Sequence, residues 1–358
     1  MEETNTMFQT ATSTGEIYEM PETVPAPEPL KMTRKHFSKL GLFFFLGAII
    51  TYAVQIVPLV LVSYFRPDLA SDPNISLLIT GLPQYLIGMP ALILLVKRIP
   101  AGQVGRHKMK GGHFAIAALM AYSIMYVSNF IGMGITFVIG LFKGGQVENV
   151  LADLVGSLSI PLMFFLMVIC APLIEEYVFR KLIVDRTIRY GQGVAVILSG
   201  LMFGLFHGNL NQFVYTFTLG MFLAFLYVKT GNLKITIALH AIVNFMGSIL
   251  ATLMIDLVDL DKYLAILEGG GGNNAFAAYM RDNGLGFLIY MTYAFCLIGS
   301  VIAGGVLTII ALARSQVRFA PGEVVIPKGK RFTTVILNVG MLIYCIFWGA
   351  LIIYQLLT

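Results

Sequence analysis

The chain has 358 residues, of which 57% are hydrophobic and 12% are charged, with a net charge of +5 and three cysteines. A soluble domain carries about 25% charged residues, so this composition excludes an ordinary soluble protein. The apolar content excludes a disordered chain, and three cysteines exclude a disulfide-stapled scaffold.

Residues 1–37 differ from the rest of the chain. They are rich in Glu, Thr and Pro, and four prolines fall between Pro21 and Pro29. They contain no apolar run, so we predict no signal peptide in them. This segment is predicted to be a disordered cytoplasmic tail, because it has too little apolar surface to form a core.

Nine apolar stretches follow the tail, each near the length of about 20 residues that a helix needs to cross a bilayer. The pattern predicts an all-α fold, a polytopic transmembrane helix bundle of about eight to nine membrane helices. The fifth stretch is short and is not expected to cross in a simple way. The predicted spans are 39–64, 75–96, 113–142, 158–180, 193–210, 212–229, 235–256, 285–313 and 332–356.

The distribution of basic residues predicts the orientation. With the N-terminus in the cytoplasm, all but four of the 24 Lys and Arg residues fall on the inner side. This is the asymmetry that membrane proteins show. The positive net charge therefore reflects topology and does not indicate nucleic-acid binding. The four on the outer side are Arg66, Lys143, Lys262 and Arg281.

The three cysteines, Cys170, Cys296 and Cys345, all fall inside predicted spans. None has the spacing of a CxxC motif. We expect them to be buried and to behave as small apolar groups.

Few ionisable groups lie within the spans, and such groups are costly in lipid, so each is a candidate for function. Glu176 and Arg180 are four residues apart, so they share a helix face and can form a structural ion pair. Glu175 lies about 100° around the helix from that face and has no evident local partner. A desolvated carboxylate of this kind suits a general base.

His207 ends the fifth span, and His240 and Asn244 lie one turn apart in the seventh. A rise of about 1.5 Å per residue places Glu175 roughly 7 Å, and His240 roughly 9 Å, from the inner end of its own helix. His207 reaches a similar depth if residues 182–190 extend the fourth helix into the cytoplasm. These side chains are therefore expected to meet within the membrane. The path of residues 208–229 is left open.

Three short motifs occur in order in this region. APLIEEYVFR (171–180) fits EExxxR, FGLFH (203–207) fits FxxxH and HAIVN (240–244) fits HxxxN. Over about 158–246 the chain resembles the CPBP family of intramembrane proteases, also called the CAAX-protease or abortive-infection family. Outside that segment, only the hydrophobicity of the chain is compatible with this family. The chain would then comprise the tail, N-terminal transmembrane helices (38–157), a protease core (158–256), and an outer loop with C-terminal helices (257–358).

The resemblance implies a glutamate-dependent intramembrane endopeptidase of a bacterial or archaeal plasma membrane, with its active site inside the membrane. By motif position, Glu175 and His207 would hold and activate water, and His240 and Asn244 would form the oxyanion site. Glu176 and Arg180 would support Glu175. The expected partners are a membrane-associated peptide or protein substrate and the lipid bilayer, without nucleic acid. The substrate and the oligomeric state are left open.

Other interpretations compete with this one. We expect no cofactor, but Glu175, His207 and His240 would be sufficient ligands for a catalytic zinc ion. Against zinc, the sequence has no HExxH motif, and the two histidines come from different helices. A non-catalytic immunity or regulatory protein on the same scaffold is a second alternative. A proton-coupled transporter is disfavoured because the sequence shows no internal repeat.

Overall fold

The computed structural model describes residues 28–145, 147, 155–269 and 272–357. Within these ranges every regular element is a helix, and eight helices are long and apolar enough to cross a membrane. A ninth helix of 15 residues is apolar but shorter. In chain order the helices are α1 (Leu30–Phe65), α2 (Pro73–Val96), α3 (Gly111–Lys143), α4 (Ile160–Tyr190), α5 (Gln192–Phe206), α6 (Leu210–Thr230), α7 (Leu233–Val258), α8 (Gly272–Ala313) and α9 (Val339–Leu357).

Each of the nine predicted apolar stretches corresponds to one of these helices, and the fifth is short, as expected. The prediction of a polytopic helix bundle is thus confirmed. Helix α1 begins at Leu30, so the last residues of the predicted tail are helical. The predicted disorder of residues 1–27 lies outside the described residues.

Two further boundaries differ from the prediction. The outer loop predicted at 257–284 contains a short helix, Leu260–Glu268, and the start of α8 at Gly272. The last predicted span, 332–356, is divided: a helix at Arg331–Val335 precedes α9. In the outer loop, polar residues occupy helical turns, which a search for apolar runs does not detect. In the last span, residues 336–338 interrupt the helix, and the Asn338 amide bonds to the Thr334 and Val335 carbonyls there. The expected burial of the three cysteines is wrong for Cys296, which is exposed on α8, while Cys170 and Cys345 are partly buried.

Helix α4 is not a regular α-helix. Two turns, Phe164–Cys170 and Glu176–Leu182, are π-helical, with a short α-helical stretch that contains Pro172 between them. Such π turns are rare and often occur at functional sites. Helix α4 continues beyond Arg180 to Tyr190, which is the extension that the depth estimate for His207 required.

Helices α5 and α6 form a hairpin, which accounts for residues 208–229, whose path the sequence left open. The two helices touch at Gly200 and Gly220: a Cβ atom on Gly200 would lie 2.8 Å from the Phe217 carbonyl oxygen. Gly208 has a φ of 66° in the turn between the helices, a conformation that glycine adopts without strain. With 15 residues, α5 is about 22 Å long. It therefore stops short of crossing a hydrocarbon core of about 30 Å.

Candidate active site

Glu176 and Arg180 form an ion pair in the centre of the bundle, and neither side chain has any exposed surface. Arg180 Nε donates to Glu176 Oε2 at 3.1 Å, and Arg180 Nη2 lies 3.0 Å from Oε1. Two contacts between a guanidinium and one carboxylate hold both groups in a defined orientation. The ion pair expected from their spacing is therefore present.

Other groups hold Arg180 in place. Its Nη1 donates to Ser199 Oγ at 3.2 Å, and that hydroxyl donates to the Phe179 carbonyl at 2.7 Å. The guanidinium carbon lies 4.5 Å from the centre of the Phe203 ring, which is the arrangement of a cation–π contact. Helix α5 thus supplies both a hydroxyl and an aromatic face to the charged pair of α4.

His240 of α7 contacts both carboxylates of α4. Its Nδ1 lies 3.0 Å from Glu176 Oε1, and its Nε2 lies 3.8 Å from Glu175 Oε2. Because an ionised carboxylate only accepts hydrogen bonds, Nδ1 carries a proton that it donates to Glu176. The buried imidazole therefore presents Nε2 to Glu175.

Glu175 differs from Glu176 in the exposure of its side chain. The side chain of Glu175 is 14% exposed, and that of Glu176 is fully buried. Among the described residues, the only ion-pair contact of Glu175 is the long one to His240 Nε2. Tyr85 of α2 and Tyr215 of α6 also lie within electrostatic range of its carboxylate. Of the two carboxylates, Glu175 is thus the one with exposed surface.

His207 lies at the turn between α5 and α6. Its Nδ1 is 2.8 Å from the Phe203 carbonyl oxygen, so Nδ1 carries the proton of the neutral ring and Nε2 has the free lone pair. Its ring packs edge-on against Phe203, with 4.8 Å between ring centroids, and His240 packs on the same ring at 5.8 Å. The ring of Phe203 therefore contacts both histidines and brings them to the same part of the site.

Asn244 is partly buried one turn above His240. Its Nδ2 donates to the Met167 carbonyl of α4 at 2.8 Å. The amide thus ties α7 to the first π-helical turn of α4. His240 Nδ1 and one N–H of Asn244 are bonded to other protein groups. His240 Nε2 and the second N–H of Asn244 therefore remain as possible hydrogen-bond donors.

The described residues contain no group of three or more His, Cys, Asp or Glu side chains arranged to hold a metal ion. Glu175, His207 and His240, which the sequence offered as zinc ligands, therefore do not form such a group. No step of the chemistry below uses a metal ion.

All six predicted site residues lie in α4, α7 or the α5–α6 hairpin. Direct contacts connect the two glutamates, Arg180 and His240, and the Phe203 ring adds His207 to this group. Asn244 is tied to α4 through the Met167 carbonyl. Sequence reasoning missed the contributions of Ser199, Tyr85 and Tyr215. A lone Ser or Tyr in an apolar helix is common, so nothing in the sequence distinguishes these three. The position of Phe203, four residues before His207, was the one available signal for its role.

Comparisons with known proteins show which family this part of the chain resembles. Residues 157–246, about a quarter of the chain, match the protein family described as type II CAAX prenyl endopeptidase Rce1-like. All six site residues fall within that segment. No solved structure matches the chain significantly.

Two bacterial relatives are similar over part of the chain. "Putative membrane peptidase YdiL" of Bacillus subtilis is 28% identical over 160 residues, which cover 43% of this chain and 64% of the relative. "Membrane-embedded CAAX protease MroQ" of Staphylococcus aureus is 28% identical over 136 residues, which cover 36% of this chain and 54% of the relative. The match thus spans less than two thirds of either relative. The chain is a multi-pass membrane protein with relatives in bacterial membranes.

Proposed function

We propose that this chain, whose residues 157–246 belong to the Rce1-like family of type II CAAX prenyl endopeptidases, is an intramembrane endopeptidase. The observation that carries the proposal is the contrast between two adjacent carboxylates. Glu176 is fully buried and paired with Arg180, whereas Glu175 is accessible and faces His240 Nε2 at 3.8 Å. A reachable carboxylate beside an imidazole is suited to activating water.

In this mechanism Glu175 and His207 hold the attacking water. Glu175 removes one proton from it, and the water oxygen forms a bond to the carbonyl carbon of the substrate. His207 can accept the second hydrogen at Nε2, because its Nδ1 is bonded to Phe203. The carbonyl π electrons move onto the oxygen, which becomes an oxyanion.

His240 and Asn244 stabilise that oxyanion. His240 donates from Nε2 in its doubly protonated form, and the Glu176 carboxylate at Nδ1 stabilises the positive charge. Asn244 donates its second amide proton. Glu175 then passes its proton to the amide nitrogen as the C–N bond breaks, and a carboxylic acid and an amine are released. Glu176 touches neither the substrate nor the reacting atoms and acts through His240, while Arg180 holds Glu176 in position.

The substrate class we propose is a peptide or protein held at the membrane, because Glu175 lies among transmembrane helices. The family description favours a prenylated C-terminus. Two probes distinguish the possibilities: a farnesylated peptide with a CAAX end, and a peptide anchored by a hydrophobic segment without a prenyl group. Mass spectrometry of the released fragments identifies the bond that is cut.

The test compares the purified wild type with Glu175→Ala in proteoliposomes that contain either probe. We expect the wild type to cleave at least one probe and the variant to cleave neither. Equal rates for the two proteins would reject the proposal. Absence of cleavage by both would favour a non-catalytic role for the scaffold.

A further inference from the structure

The backbone of α4 leaves one carbonyl group to be satisfied by another helix. In the first π-helical turn, the Ala171 N–H bonds to the Leu166 carbonyl, five residues earlier. The next donor in this register would be the N–H of residue 172, directed at the Met167 carbonyl. Residue 172 is proline, which has no N–H. Neither Ala171 nor Pro172 therefore supplies a hydrogen bond to Met167.

Asn244 supplies that bond from α7. Its Nδ2 lies 2.8 Å from the Met167 carbonyl oxygen, although the two residues are 77 positions apart in the chain. Within a bilayer a free backbone carbonyl is costly, and a proline in a membrane helix is tolerated where a neighbouring helix re-satisfies the freed group. The amide of Asn244 is such a replacement donor.

The same bond determines where the rest of the amide points. The amide is planar and carries two N–H groups in fixed relative directions, so anchoring one N–H orients the other. Within the part of the chain that the structure describes, the second N–H and the Oδ1 of Asn244 have no hydrogen bond to protein. They are available on the helix face that Asn244 shares with His240.

We propose that Pro172 is a positioning residue for Asn244: by removing one backbone donor it exposes the Met167 carbonyl, which holds the Asn244 amide in the orientation that the reaction uses. The proposal rests on the proposed peptidase function. Preorganised donors are what makes oxyanion stabilisation effective, because they need no reorientation during the reaction. Pro172 itself touches neither the substrate nor the reacting atoms.

The Asn244→Ala variant alone cannot test this idea, since it removes the contact to α4 and the free N–H together. Pro172→Ala separates the two. It supplies an N–H for the Met167 carbonyl and leaves the Asn244 side chain intact but without its anchor. Pro161→Ala is the matched control, because Pro161 lies in the first turn of α4, where an N–H has no helical partner.

The first measurement is a thermal double-mutant cycle in detergent, which needs no substrate. Pro172→Ala should melt at about the same temperature as Pro161→Ala, because the backbone bond that it adds within α4 replaces the bond from Asn244. Asn244→Ala should lower the melting temperature of the wild type, and its effect should be at most half as large in the Pro172→Ala background. Equal shifts in both backgrounds would overturn the proposal.

The second measurement is steady-state cleavage of the anchored or farnesylated peptide, whichever the wild type cleaves. Pro172→Ala should lower kcat by about tenfold or more with KM unchanged, while Pro161→Ala should behave as the wild type. An unchanged kcat in Pro172→Ala would show that the bond to Met167 is structural only, and the positioning role would be rejected. Absence of cleavage by the wild type would instead reject the proposed peptidase function. The thermal cycle would still show whether the stabilising effect of Asn244 depends on Pro172.

Discussion

Glu175 and Glu176 are adjacent in sequence but have opposite surroundings. The helical rotation of about 100° per residue turns one carboxylate toward Arg180 and the other away from it. Glu176 has its charge matched by Arg180 at 3.0 Å, with no exposed surface on either side chain. Glu175 is 14% exposed and has only the long contact to His240. Two chemically identical side chains therefore have different proposed roles, Glu176 in the ion pair and Glu175 as the base.

Replacing Glu175 by Gln is expected to lower kcat by at least about 100-fold, the usual contribution of a general base. Gln keeps the size of the side chain but cannot accept the proton of water. We expect the melting temperature to change little, because Glu175 makes no close ion pair. Cleavage rate and thermal unfolding of the same preparation check both expectations, and near-normal turnover would exclude Glu175 as the base.

Glu176→Gln is expected to act on stability instead. Removing this charge leaves the buried Arg180 without its counter-charge, and breaking one side of a buried pair costs about 3–5 kcal/mol. The variant should melt at a much lower temperature and be recovered in lower yield. A thermal scan of Glu175→Gln and Glu176→Gln side by side measures the difference, and equal melting temperatures would contradict the assignment.

Chelation tests whether the chemistry depends on a metal. Since the described side chains form no group of ligands for a metal ion, dialysis against EDTA or 1,10-phenanthroline is expected to leave turnover unchanged. Loss of activity that added Zn²⁺ restores would instead favour the zinc alternative. The assay uses the wild type, so no variant complicates the result.

At the scale of the helices, the α5–α6 hairpin sets the position of His207. The hairpin closes tightly because Gly200 and Gly220 have no side chains: a Cβ on Gly220 would lie 2.9 Å from the Phe203 ring. Helix α9 also holds this hairpin, through a 2.7 Å hydrogen bond from the Tyr344 hydroxyl to the Met202 carbonyl. The ring of Phe203, and with it the two histidines, depends on this close approach.

Gly200→Val is expected to destabilise the protein by about 1–3 kcal/mol, the usual cost of added methyl groups in a packed interface. The new side chain would collide with Met221 and with the Phe217 carbonyl, both of α6. Activity should fall as well, because Phe203 would be displaced. Gly134→Ala in α3 is the control, since a Cβ there has no neighbour within 4 Å and should leave both quantities unchanged.

At the scale of the whole molecule, the eight long helices and the placement of basic residues predict which face of the membrane each loop occupies. The short helix Lys328–Lys330 precedes α9 on the predicted inner side, and the helix Leu260–Glu268 follows α7 on the predicted outer side. Lys328 and Glu268 are both exposed and so are accessible to a reagent.

Thiol labelling of intact cells tests this orientation. In a background without Cys170, Cys296 and Cys345, Glu268→Cys should react with a membrane-impermeant maleimide added outside. Lys328→Cys should react only after the membrane is opened, because charged segments next to spans remain in the cytoplasm. The reverse pattern would invert the predicted topology. Cleavage activity of the cysteine-free background provides the control for folding.

The sequence by itself determined the number of membrane helices and the identity of the candidate site residues. Both follow from the cost of polar groups in lipid: long apolar runs predict helices, and the few ionisable residues within them stand out. The spacing of Glu176 and Arg180 also predicted their pairing, since contacts within one helix depend only on periodicity.

The tertiary structure alone decided which helices bring these residues together. The 3.0 Å contact of His240 with Glu176 and the bond of Asn244 to the Met167 carbonyl join α7 to α4, more than 60 positions away in the chain. Such contacts depend on how helices pack, and here also on two π-helical turns that rotate the side chains of α4 out of the α-helical register. Hydrophobic periodicity carries no information about either, because a π turn forms where tertiary contacts compensate its poorer backbone geometry.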